Sequence, residues 1–202
     1  WTYMIQASRR LDQPINLPAD AYTDDNYAEI VYSKSAVIFR YMQEYLGEDI
    51  MKEIIQTYFN RYKNKHVYPE DFWNVAEEVS GKKLNWMYED LFSTKKLDYA
   101  ILSAGFSETT KDLEVLVKNK GGVNSPIFIS SFLNGNLVYT HTFDGFDGNK
   151  ILNLGKIKAD EVRIDYHEYM PEINRNNNSY KIYSIFGGIR PIKFYPITSL
   201  DN

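Results

Sequence analysis

The stretch Tyr27-Ala28-Glu29-Ile30-Val31-Tyr32-Ser33-Lys34-Ser35-Ala36, which runs on to Gly47, decides how the first half of the chain folds. Val37, Ile38, Tyr41, Met42, Tyr45 and Leu46 recur at helical spacing, which predicts a helix with one buried face. Gly47 follows the last of them, where a left-handed helix stop favours a residue without a side chain. Tyr-Ser-Lys-Ser reads as a turn into that helix, so Tyr32 stands at its N-terminal end, five residues after Tyr27. A phenol at the mouth of a buried helix can donate a hydrogen bond to a developing oxyanion. It can equally be an amphipathic core tyrosine whose hydroxyl bonds to backbone, and the residues alone favour that plainer use.

Outward from this stretch, the first half keeps a helical period. Tyr3, Met4, Ile5, Ala7 and Leu11 suit the end of a helix, and residues 12–25, with Pro14 and Pro18, read as a loop. Ile50, Met51, Ile54, Ile55, Tyr58, Phe59 and Tyr62 mark a second helix, with Glu48 and Asp49 in its first turn where negative charge suits the dipole. Pro69 opens a third, which carries Phe72, Trp73, Val75, Ala76 and Val79 and stops at Gly81. A fourth, from about Asn85, buries Trp86, Met87, Leu91 and Phe92.

From about Ala100 the period changes to two. Leu113, Val115 and Val117 alternate with polar partners, residues 127–132 alternate likewise, and Asn134-Gly135 is a strong hairpin signal. Residues 137–143, 151–154 and 162–166 supply further strands, with Asp144-Gly145-Phe146-Asp147-Gly148 as a turn. Gly187 to Phe194 reads as one more strand or the start of another region. The expected architecture is therefore α+β in two domains: a helical bundle over 1–99, then a small antiparallel β-sandwich of immunoglobulin-like type over 100–202.

Composition narrows the function classes. A formal charge of -4 speaks against a nucleic-acid partner, since no basic face offsets phosphate charge. The absence of cysteine excludes disulfides, thiolate metal sites and a cysteine nucleophile. No run approaches the ~18 apolar residues of a membrane span. His66, His141 and His167 are scattered, with no His-Glu-x-x-His spacing, so no metal ligand is assigned in this chain.

The residues of the first half resemble the gluzincin aminopeptidases, the membrane alanyl aminopeptidase family of zinc peptidases. The matching features are Tyr27-x-x-x-x-Tyr32-Ser33-Lys34-Ser35-Ala36, Tyr45-Leu46-Gly47-Glu48-Asp49, Thr57-Tyr58, Pro69-Glu70-Asp71-Phe72, Ala76 through Leu84, and Trp86-Met87. The region from Val117 to Tyr180 looks like the small sandwich that follows the catalytic domain in that family. The resemblance implies that Tyr32 stabilises the oxyanion of the tetrahedral intermediate and that Tyr27 lies on the substrate side. It implies zinc in a parent protein, none in this chain, and a peptide substrate. The zinc helix and its later glutamate, which the family places N-terminal to this region, are not in these 202 residues. The missing N-terminal part of the parent is thus an expected partner, and the chain alone is expected to be inactive. An exported bacterial setting, periplasmic or at the cell surface, fits the resemblance. A non-catalytic module that binds peptide, glycan or protein is the alternative.

Overall fold

Asp24 begins one long helical run, and the run explains much of the helical half. The computed structural model describes residues 2–182. Helix α1 spans Thr2–Ser8 and helix α2 spans Asp24–Ala28. Residues Glu29–Lys34 then continue without a break as a wider π-helical segment, and Ser35–Leu46 form α3. The expected Tyr-Ser-Lys-Ser turn is therefore corrected to a π-helical stretch within a continuous helix. Ile30, Lys34, Ile38, Tyr41 and Met42 point inward from it. These positions are three or four apart, the stripe that a core-facing helix buries.

Gly47 ends α3 with φ 92° and ψ 154°, so the expected left-handed stop is instead a glycine-favouring extended corner. Its N–H donates to the Gln43 carbonyl and its own carbonyl accepts from the Met51 N–H, so one residue closes α3 and starts α4, Glu48–Tyr62. Helix α5, Pro69–Ser80, begins with a capping box: the Tyr68 N–H donates to the Asp71 carboxylate at 2.9 Å. It stops at Gly81, which is left-handed at φ 65° and ψ 13°. A second π-helical segment, Trp86–Leu91, completes the helical half.

The strands are β1 Tyr99–Phe106, β2 Leu113–Asn119, β3 Ile127–Leu133, β4 Asn136–Phe143, β5 Asn149–Asn153, β6 Glu161–Ile164 and β7 Ser179–Lys181. They form two antiparallel sheets, ordered β1-β2-β5 and β4-β3-β6-β7. The α+β arrangement of helices followed by antiparallel sheets is thus as the change of period predicted. Asn134 and Gly135 both take positive φ between β3 and β4, as a two-residue primed turn requires. The strand expected to reach Tyr166 stops at Ile164. There Asp165 adopts φ 48°, and its carboxylate accepts from the Tyr169 and Met170 N–H groups at 2.8 and 2.9 Å. A short carboxylate that bonds to nearby backbone competes with the ladder. The expected strand at Gly187 to Phe194 lies outside the described residues.

One apolar core runs from Ile38, Tyr41 and Trp73 in the helices to Val115, Ile129 and Val162 in the sheets. Tyr41 ties the two together. Its ring meets Phe128 of β3 edge-on at 5.8 Å, and its hydroxyl donates to the Pro126 carbonyl. Burial raises its phenol well above the ordinary tyrosine range. Arg40 lays its guanidinium 4.8 Å over the Tyr169 ring. Helix thus gives way to strand at Tyr99, while the packing continues across; independent folding of 1–99 and 100–202 stays a proposal. Limited proteolysis should spare 99–103, which sit in β1 with Tyr99, Ala100 and Ile101 buried, and cut first in the exposed 63–68 loop. Mass spectrometry of early fragments checks this; a first cut inside 99–103 would contradict it.

Candidate active site

Tyr32 sits in the middle of the π-helical segment and is 65% exposed. No hydrogen bond holds its hydroxyl among the described residues, so the phenol is available to a ligand. Its ring meets Tyr27 edge-on, 6.4 Å between centroids at 75°, and Tyr27 meets Tyr22 at 5.9 Å and 82°. Residues five apart lie about 140° apart around an ideal α-helix, too far for their rings to meet. The i→i+5 winding turns more slowly, and it brings Tyr27 and Tyr32 to one side. Tyr22 roots the row: its hydroxyl reaches the carbonyls of Pro14 and Ile15 and accepts from the Leu17 N–H at 3.3 Å. The structure therefore brings both singled-out tyrosines together on one exposed aromatic face.

Behind Tyr32 lies a group that the sequence reading passed over. Lys34 is fully buried. Its Nζ donates to the carbonyls of Gln13, at 3.3 Å, and Ser93, and lies 3.8 Å from Asp12 Oδ2. Asp12, itself buried, also pairs with Lys96, and the Lys34 ammonium stands 5.3 Å over the Tyr3 ring. Burial lowers Lys34 to about 8, against the attraction of Asp12. The signal was there: Lys34 occupies a position on the buried stripe Ile30, Lys34, Ile38, where only its charge argued for solvent.

The histidines are not gathered. Among the described residues no three histidine, aspartate or glutamate side chains converge as a metal site.

Residues 2–91 match the family described as "Peptidase family M1 domain". Residues 2–91 belong to peptidase family M1. The M1 segment covers α1 through the second π-helical stretch and includes Tyr27, Tyr32 and Lys34. Among curated relatives, "Probable aminopeptidase 2" of Sulfurisphaera tokodaii is 29% identical over 99 residues, covering 49% of this chain and 13% of that protein. "Aminopeptidase M1-C" of Oryza sativa subsp. japonica is 31% identical over 93 residues, 45% of this chain and 10% of that protein. "Aminopeptidase M1-B" of the same plant is 28% identical over 145 residues, 70% of this chain and 15% of that protein, so the likeness outruns the M1 segment. The crystal structure of Legionella pneumophila aminopeptidase A in complex with aspartic acid aligns with a TM-score of 0.58 at 21% identity, over 72% of this chain and 18% of that one. That alignment supports the fold: helices followed by sheets in the same arrangement. The chain spans 10 to 15% of the length of the curated relatives named here.

Proposed function

We propose that this chain is the later part of an M1 catalytic domain with its following sandwich, and that the longer protein removes N-terminal residues from peptides. The observation that carries the reading is Tyr32, an exposed phenol on a π-helical segment inside the M1 region. Such widened turns recur at functional sites. In this reading the Tyr32 hydroxyl donates a hydrogen bond to the oxyanion that forms when water adds to the scissile carbonyl. Tyr27, edge-on to Tyr32, flanks the substrate.

Zinc, which the family uses to polarise the carbonyl and activate water, would be held by residues outside this chain. The remaining N-terminal part of the catalytic domain is then the partner that closes over the Tyr22-Tyr27-Tyr32 face. No helix among the described residues is long and apolar enough to cross a membrane. An exported bacterial setting belongs to the same proposal, and fractionation of the producing cells decides it.

The purified 202-residue chain should retain no stoichiometric zinc after dialysis and should not cleave aminoacyl reporters. Elemental analysis and a fluorogenic assay read both. Stoichiometric zinc, or turnover that a chelator abolishes, would show that this chain builds a site by itself and would overturn the division of labour.

A further inference from the structure

The π-helical segment carries two side chains that face opposite ways. Tyr32 is exposed and Lys34 is fully buried. Positions two apart lie about 200° apart around a helix, so whatever fixes residue 34 from behind also sets the direction of residue 32. A lysine is a costly residue for that inner position. Methionine, of similar length, would fill the space without removing a charge from water. What an ammonium adds is direction: it donates hydrogen bonds to two carbonyls and sets its charge beside the Asp12 carboxylate.

Those partners come from two separate places. Gln13 O and Asp12 lie in the loop after α1, and Ser93 O lies just past the second π-helical segment. The loop is in turn fixed to the start of α2. Gln13 Oε1 accepts from the Thr23 N–H at 3.0 Å and from Asn26 Nδ2 at 3.1 Å, and the Ile15 N–H donates to the Phe92 carbonyl at 2.8 Å. Lys96 holds the other oxygen of Asp12 from outside. The clamp therefore joins both flanks of the tyrosine row to the end of the helical half.

We propose that Lys34 is a positioning residue: clamped by Gln13 O, Ser93 O and Asp12, it locks the π-helical winding that aims the Tyr32 phenol outward beside Tyr27. This rests on the reading of Tyr32 given under Proposed function, but its geometric content can be tested without catalysis. Buried polar groups that select one packing over others are known, and the best-attested use is fixing register. An apolar residue at 34 would keep the core filled while leaving the wider winding unspecified.

The experiment uses the full chain, with tyrosine rings and backbone amides isotope-labelled for NMR, and compares wild type with Lys34→Met and Asp12→Asn. Tyr32 signals are assigned from Tyr32→Phe. Lys34→Met should speed amide exchange over 29–36 by roughly tenfold or more relative to the helix 48–62, as local opening does. It should also weaken the Tyr27–Tyr32 ring contact. Asp12→Asn, which keeps both carbonyl partners of Lys34, should do the same in the same place but less. If Lys34→Met fails to fold, Asp12→Asn carries the test. Exchange that rises equally in both helices marks Lys34 as merely structural and overturns the proposal, as does unchanged exchange over 29–36. Failure of the Tyr32 reading looks different: Tyr32→Phe in the longer enzyme keeps full turnover, whatever exchange shows.

Discussion

Tyr32→Phe, made in a longer M1 polypeptide that contains this chain, should lower kcat by roughly 100- to 1000-fold with KM little changed. The effect falls on kcat because the oxyanion exists only in the transition state and intermediate, so the ground-state complex loses nothing. In the 202-residue chain the same change should leave the melting temperature nearly unaltered. Tyr32 is 65% exposed and its hydroxyl bonds to no described residue, so removing that oxygen strands no buried partner. The contrast is the point of the pair of measurements. A large drop in melting temperature with full turnover would make Tyr32 a structural tyrosine after all. Tyr41→Phe is the control of opposite kind, since its hydroxyl is buried and leaves the Pro126 carbonyl without that donor.

Glu172→Gln should stabilise the chain at pH 8 and flatten its stability between about pH 6 and 8. Glu172 is buried beside β1, where one carboxylate oxygen accepts from the Tyr99 N–H at 3.0 Å. Burial, with Asp98 and Asp165 nearby, raises its carboxyl from 4.5 to about 8. The folded state thus holds a proton that the unfolded state gives up near pH 4.5. Stability is full below that value and falls as pH rises to about 8. At about 1.4 kcal/mol per pKa unit the ceiling is a few kcal/mol. Asp165 is also raised, to about 6, so its slope ends lower. Lys34, lowered to about 8, has the opposite sign: its cost is present below 8 and fades as pH rises toward 10.5. The window from 6 to 8 therefore belongs mainly to Glu172. Urea melts at pH 5, 6, 7 and 8 read it, and a variant that keeps the wild-type slope across that window would remove Glu172 from the account.

Much of this protein was legible in its sequence. Period alone gave α3, α4 and α5, because an apolar stripe every three or four residues has few uses besides a buried helix face. Asn134-Gly135 gave the β3–β4 hairpin, because those residues tolerate the positive φ that the turn demands. The change of period near residue 100 gave the order of helices and strands. The residues that carry the resemblance gave the family and pointed to Tyr32 and Tyr27.

Other things were decided only in three dimensions. The winding of residues 29–34 depends on what they pack against, and local propensity barely separates i→i+4 from i→i+5 bonding. Read as a turn, that segment hid the reason Tyr27 and Tyr32 can touch. The burial of Lys34 and Glu172 was settled only by the fold, since burying a charge is favourable only when partners distant in sequence meet it. Those partners stand 59 residues away for Lys34, at Ser93, and 73 residues away for Glu172, at Tyr99. The shared core of helices and sheets is of the same kind. Tyr41 reads as a helix-face residue, yet its hydroxyl ends on a carbonyl 85 residues downstream, a pairing that only the folded chain brings within reach.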